Sequence, residues 1–261
     1  MPADRLTPDT IRNWPHAQPL LALTAYDYPT ARHLDEAGVE ILHVGDTLGM
    51  VVLGFEDTTS VTMEDMLRAT GAVARARQRA LITADLPYQT YETPEAALLH
   101  SRALVAAGAD AVKMEGGSEI LPQIRAVLAD GIPVQGHLGM LPQHIREEGA
   151  YRKKGKLEAE AARLEGDARL LEDEGVFSIV LECVNAPVAQ RITQLLKIPT
   201  LGIASGPGTR GQIRVTTDLI GMTPWCVFPY VTAEVDHAAG IREAVQRFRS
   251  RVGGSPPVPD V

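Results

Sequence analysis

Eight short apolar runs, separated by longer amphipathic segments, constrain the fold of this chain more than any other feature. They are LLALTA (20–25), ILHVG (41–45), ALITAD (80–85), AVKME (111–115), IPVQGH (132–137), SIVLEC (178–183), PTLGIA (199–204) and WCVF (225–228). Runs this short and this evenly apolar predict strands covered on both faces, the mark of a parallel sheet. The segments between them carry helix punctuation. Thr7-Pro8 opens a lead-in helix to about Trp14, Thr93-Pro94 opens a segment that ends on Gly108, and others end on Gly38 and Gly175. Pro122 interrupts GSEILPQIRAVLADG and belongs near the start of its helix. Strands that alternate with helices run parallel, because each crossover returns the chain to the end where the last strand began. Eight such units in 261 residues predict a closed (β/α)8 TIM barrel rather than an open doubly wound sheet, and no glycine-rich dinucleotide fingerprint follows the first run. The expected organisation is one barrel domain over residues 1–250 and a disordered Pro- and Gly-rich tail over 251–261. Two connections, 47–79 and 138–156, exceed what a turn needs, and long ordered loops often carry function.

Composition narrows the partners. Only 5% of the residues are aromatic, so the core must rest on Val, Ile, Leu and Ala. A net charge of -8 argues against a nucleic-acid surface, which wants clustered Lys and Arg, but leaves room for a small anionic ligand on one buried lysine. No stretch approaches the roughly 18 consecutive apolar residues of a membrane span. The opening MPADRLTPDTIRNW has no basic start followed by an apolar run, so no signal peptide is expected. The two cysteines, Cys183 and Cys226, show neither metal-ligand spacing nor a disulfide framework, and the expected address is the cytoplasm.

Polar residues stand where the apolar runs stop: Tyr26, Asp46, Asp85, Lys113 with Glu115, His137, Glu182 and Ser205. In a parallel barrel these positions ring one mouth, the face where barrel enzymes place their chemistry. Any one of them is equally well a cap for the next turn. Four acids, a lysine and a histidine together are harder to read as caps, because like charges brought close need a cation or a proton between them. Asp46 and Asp85 suit a hard divalent cation such as Mg²⁺, which takes one or two carboxylates and completes its shell with water and substrate oxygens. Glu115 is either a further ligand, directly or through water, or the ion-pair partner of Lys113. Lys113 in turn is either a structural salt bridge or a clamp for an anionic substrate group. Glu182 follows four apolar residues and loses part of its hydration, which suits a general base near neutral pH; the alternative is a structural acid bonded to backbone N–H groups. His137 is a supporting hydrogen bonder, an acid–base group or a core histidine. His33, His43, His100, His144 and His237 show no such arrangement, and Cys183 reads as core by strand alternation.

The ordered motifs LTAYDYPTA (23–31), VGDTLGMVVLG (44–54), ADLPYQTYE (84–92), AVKMEGG (111–117), IPVQGHLGMLPQ (132–143), YRKKGK (151–156), IVLECV (179–184) and IPTLGIASG (198–206) resemble those of the ketopantoate hydroxymethyltransferase family. The resemblance runs from about Leu20 to Met222. It implies a barrel of the phosphoenolpyruvate/pyruvate-type superfamily. It also implies Mg²⁺-dependent hydroxymethyl transfer from 5,10-methylenetetrahydrofolate to the 2-oxo acid 3-methyl-2-oxobutanoate, giving 2-dehydropantoate for pantothenate and coenzyme A synthesis. Carried over motif by motif, Asp46, Asp85 and Glu115 resemble the metal site. Asp46, Thr47, Asp85, Lys113 and His137 resemble the substrate contacts, and Glu182 resembles the base. A homo-oligomer, often a decamer, is the implied assembly. The chain departs from the family pattern in places. Thr47 stands for a serine, Gln89-Thr90 for Gly-Ser, Ala204-Ser205 for Gly-Ala and Thr217 for a histidine, and the 151–156 loop is more basic. The Gln89-Thr90 and Ala204-Ser205 changes motivate a rival reading, a metal-dependent C–C lyase or aldolase of the same superfamily acting on a different 2-oxo acid. A non-catalytic binding paralogue is the third reading, disfavoured by the retained acids and lysine.

Overall fold

A strand that must be apolar on both faces needs helices outside and neighbouring strands inside, and barrel closure supplies both. In a computed structural model describing residues 5–223 and 231–254, eight parallel strands close in sequence order, β8 pairing back to β1. They are β1 (Leu20–Thr24), β2 (Ile41–Val44), β3 (Leu81–Asp85), β4 (Ala111–Glu115), β5 (Val134–Gly139), β6 (Ser178–Glu182), β7 (Thr200–Ile203) and β8 (Gly211–Arg214). The helices are α1 (Pro8–Arg12), α2 (Tyr28–Glu36), α3 (Leu48–Val51), α4 (Met63–Ala76), α5 (Pro94–Ala107), α6 (Leu121–Ala129), α7 (Ile145–Glu148), α8 (Glu158–Glu174), α9 (Ala186–Leu195), α10 (Thr216–Leu219) and α11 (His237–Gly254). Their ends follow local chemistry. Thr7 caps α1 and Thr93 caps α5, each with proline in the first turn, while Thr62 and Asp65 form a reciprocal capping box on α4. Gly108 and Gly175 terminate α5 and α8 in the left-handed conformation.

The eighth strand is not where the apolar runs put it. WCVF (225–228) lies outside the described residues, and Gly211–Arg214 closes the barrel instead. Its GQIR sequence offers one apolar side chain. What it offers in addition is a close backbone approach: a Cβ on Gly211 would sit 2.3 Å from the Leu20 carbonyl oxygen, so glycine lets β8 reach β1. The chain divides into two compact units at Arg214 and Val215, so the strands are complete well before residue 250. Residues 251–254 belong to helix α11 and not to a tail, and 255–261 lie outside the described residues.

Strand alternation sorts the barrel interior into layers. One apolar cluster, including Leu20, Ala22, Ile41, Leu81, Ala111, Val180, Leu201 and Ile213, plugs the barrel toward the strands' N-terminal ends. Two residues further along the same rows come Thr24, His43, Thr83 and Lys113, and two further again Asp85 and Glu115, all buried. The β2, β3 and β4 rows turn from apolar to ionisable as they approach the C-terminal mouth. A second, larger cluster, with Leu42, Ile82, Val112, Val134, Ile179 and helix residues such as Val73, Leu104 and Ile124, lies between sheet and helices.

Candidate active site

Register brings the ionisable row ends together. Asp85 pairs with Lys113 across β3 and β4, Glu115 with His137 across β4 and β5, and Gly139 with Glu182 across β5 and β6. The side chains follow. Lys113 Nζ lies 3.0 Å from Asp85 Oδ1, 3.9 Å from Glu115 Oε1 and 3.2 Å from His137 Nδ1. His137 spans two acids, with Nδ1 3.3 Å from Glu115 Oε1 and Nε2 3.3 Å from Glu182 Oε2. Asp46 stands just beyond β2, where its backbone N–H donates to Asp85 Oδ2 at 3.0 Å. Thr47, the next residue, shares a 2.7 Å hydrogen bond with the hydroxyl of Tyr26 from the end of β1. The mouth therefore gathers Asp46, Thr47, Asp85, Lys113, Glu115, His137 and Glu182, seven of the residues that the sequence singled out. All are buried except Thr47 and Glu182, which are partly open.

The charges in this mouth are strongly coupled. Burial, reinforced by the neighbouring charges of Asp85 and Glu115, pushes the Asp46 carboxyl well above the usual carboxylate range. Burial works in the same direction on Asp85, but Lys113 and His43 outweigh it and hold that carboxyl below its usual range. Burial would lower the Lys113 ammonium. Asp85, Glu115 and Asp46 reverse this and keep it firmly charged. His137 is raised to about 8, because Glu115 and Glu182 overcome the opposing effects of burial and Lys113. The mouth thus holds more acid than base, and Asp46 is where a proton or a cation relieves it.

Several residues reach the site without having been expected there. His43 Nδ1 bonds Thr83 Oγ1 at 2.8 Å while Nε2 lies 3.4 Å from Asp85 Oδ2. The missed signal was alternation, since His43 is the register partner of Thr83, two residues before Asp85. Gln143 and Tyr91 come from loops, which periodicity does not read. Gln143 Nε2 donates to Asp46 Oδ2 at 2.8 Å, and the Tyr91 hydroxyl donates to Gln143 Oε1 at 2.6 Å. Conversely, Ser205 is buried but turned to backbone, accepting from Val184 N–H at 2.9 Å and donating to the Leu181 carbonyl at 2.7 Å. Gln89 and Ala204 occupy left-handed backbone, φ 61° and 53°, where glycine is at ease and a side chain is strained. Thr90 caps its own turn, donating to the Pro87 carbonyl at 2.6 Å. Much of the positive charge of the 151–156 loop is paired nearby: Lys154 with Glu148, and Arg152 with Glu148 and Glu160.

The donor set fits a hard cation. Asp85 Oδ1 and Glu115 Oε1 are buried and accept no aligned hydrogen bond, despite the nearby lysine and histidine. Among the described residues no three His, Cys, Asp or Glu side chains converge into a ready-made metal cage. Two buried carboxylates, each with an oxygen that accepts no hydrogen bond, suit magnesium, which is held by one or two carboxylates and keeps its waters.

A sequence model described as ketopantoate hydroxymethyltransferase matches residues 5–256. The 3-methyl-2-oxobutanoate hydroxymethyltransferase of Pyrobaculum neutrophilum is 50% identical over 231 residues, covering 88% of this chain and 88% of its own. The protein of that name from Ignicoccus hospitalis is 46% identical, covering 94% and 93%. Solved structures are similar in fold at low identity. Phosphonopyruvate hydrolase in complex with oxalate and Mg²⁺ superposes with a TM-score of 0.63 at 14% identity, covering 98% of this chain and 93% of its own. A 2,3-dimethylmalate lyase of the PEP mutase/isocitrate lyase superfamily gives 0.61 at 16%, covering 93% and 85%.

Proposed function

The chain belongs to the ketopantoate hydroxymethyltransferase family, and on that premise we propose that it transfers a hydroxymethyl group from 5,10-methylenetetrahydrofolate to 3-methyl-2-oxobutanoate, giving 2-dehydropantoate. The observation that carries the reading is the Glu182–His137–Glu115–Lys113–Asp85 chain of contacts, which ends in a partly open carboxylate. Asp46 and Asp85 would hold Mg²⁺, with Glu115 acting through water. When bound, the ion supplies Lewis acidity toward the carboxylate and keto oxygens of a 2-oxo acid. The remaining work falls to side chains. Lys113 offers its ammonium to the substrate's negative charge, and Thr47, held by Tyr26, offers a hydroxyl. Glu182 accepts the C3 proton, and His137, 3.3 Å from its Oε2, steadies its carboxylate. Water releases the one-carbon unit at the formaldehyde level, both of its C–N bonds breaking and tetrahydrofolate leaving with its two nitrogens protonated; the carbanion attacks that carbon to form the new C–C bond, and the resulting alkoxide takes up the proton that Glu182 removed.

We read the working protein as a cytoplasmic homo-oligomer. Supporting assembly, α11 exposes Ile241, Val245, Phe248 and Val252 at alternating four- and three-residue spacing, 47%, 53%, 62% and 69% accessible, which forms one apolar stripe. No helix among the described residues is long and apolar enough to cross a membrane. The direct test incubates purified protein with Mg²⁺, methylenetetrahydrofolate and 3-methyl-2-oxobutanoate and follows 2-dehydropantoate by mass spectrometry. Product that disappears with EDTA is expected. A folded protein that makes none, yet exchanges C3 protons of another 2-oxo acid, would move the assignment to the lyase or aldolase reading.

A further inference from the structure

Three buried carboxylates share the mouth, and one glutamine touches two of them, one through its side-chain amide and one through its backbone N–H. Gln143 lies in the 3-10 turn Pro142–His144 that opens the long connection after β5, and it is only 2% accessible. Its backbone N–H donates to Glu115 Oε2 at 3.1 Å. Its side-chain Nε2 donates to Asp46 Oδ2 at 2.8 Å and to the Leu86 carbonyl at 2.9 Å. Its Oε1 accepts from the Tyr91 hydroxyl at 2.6 Å, and that hydroxyl also lies 3.4 Å from the Glu115 carbonyl. This set permits one amide orientation. A carboxylate and a carbonyl only accept, so they require the NH₂ group, and Tyr91 fills the oxygen. A flipped amide would set its oxygen against two acceptors.

The side-chain chemistry at position 143 is equally restricted. A glutamate would bring a fourth negative charge against Asp46. A lysine or arginine would neutralise the acids and compete with any cation they bind. The side-chain amide satisfies Asp46 Oδ2 and the backbone N–H of the same residue satisfies Glu115 Oε2, while Glu115 Oε1 accepts no hydrogen bond.

We infer that Gln143, oriented by Tyr91, is a positioning residue for the divalent cation site: it ties down one oxygen of Asp46 and one of Glu115, and so turns the other toward the cation and its waters. The inference rests on the metal reading proposed above and adds to it the loop residue that sets the ligand geometry.

The test titrates Mn²⁺ into the full-length wild type, Gln143→Met, Tyr91→Phe and the double variant, with free Mn²⁺ read by electron paramagnetic resonance and folding by circular dichroism. Partners of metal ligands typically contribute about 10–100-fold in affinity, and a loss in that range is expected for Gln143→Met with its fold intact. Tyr91→Phe should weaken binding by a smaller factor. The double variant should bind no more weakly than Gln143→Met, because Tyr91 acts through the amide. Unchanged Mn²⁺ affinity in the single variants would overturn the inference, as would single-variant factors that multiply in the double. If Gln143→Met does not fold, Tyr91→Phe removes one oxygen atom and decides the question by itself. A folded wild type that binds no Mn²⁺ would overturn the metal reading and this inference together, whereas equal binding by all four proteins would overturn this inference alone.

Discussion

Glu182 Oε2 meets His137 at 3.3 Å, yet the residue keeps partial access to the mouth. A proton acceptor needs both, a neighbour that steadies its carboxylate and open space for the substrate. Glu182→Gln should therefore keep its fold and its affinity for 3-methyl-2-oxobutanoate while the exchange of the C3 proton with D₂O, read by NMR, slows by about 10²–10⁴-fold. Exchange at the wild-type rate would remove Glu182 from the role of base. At this scale the sequence was most informative about strand ends, since a carboxylate or ammonium that closes an apolar run is visible in one dimension. It was least informative about His43, Tyr91 and Gln143. His43 sits mid-strand in an apolar context, and the two others lie in loops whose partners, Asp46 and Glu115, are strangers in sequence.

Among the elements, the β5–β6 pair shows how tightly the backbone is fitted around the base. Gly139, at the end of β5, has φ 105°, and a Cβ there would lie 2.1 Å from the Glu182 carbonyl oxygen. The next residue's N–H, from Met140, donates to that same oxygen at 2.8 Å. Only glycine lets the two strand ends approach this closely. Gly139→Ala must push β6 outward and carry the Glu182 side chain with it. We expect a loss of about 1–3 kcal/mol in a urea titration, the cost typical of overpacking, together with a fall in kcat. Wild-type stability and turnover in this variant would show that the approach is not required. Strand positions were readable because a short, continuously apolar run is a local signal. β8 was not readable, because GQIR is a strand by virtue of its two neighbours, β7 and β1, and not by its own hydropathy.

For the molecule as a whole, the barrel unit and the Val215–Val261 unit pose different questions. The barrel buries its apolar residues in two clusters and spends its polar ones at the mouth. The second unit leaves the stripe Ile241, Val245, Phe248 and Val252 exposed along α11, an unusual surface for a chain with so few aromatic residues. If that stripe joins copies, Phe248→Glu lowers the mass measured by analytical ultracentrifugation toward that of one 28.1 kDa chain. An unchanged assembly would assign the contact to another surface.

What the sequence determined alone is the alternation of strand and helix, the direction common to all the strands, and so the face on which their polar ends meet. Those features follow from short apolar runs, from helix punctuation and from chain polarity, and none of them needs a partner. Tertiary structure decided the rest: which segment closes the barrel, and that Asp85 meets Lys113, Glu115 meets His137 and His137 meets Glu182. It also decided that Gln143 reaches back from a loop to hold two of the acids. Those pairings are set by the stagger between neighbouring strands, which barrel closure imposes on all eight at once and no window of sequence contains.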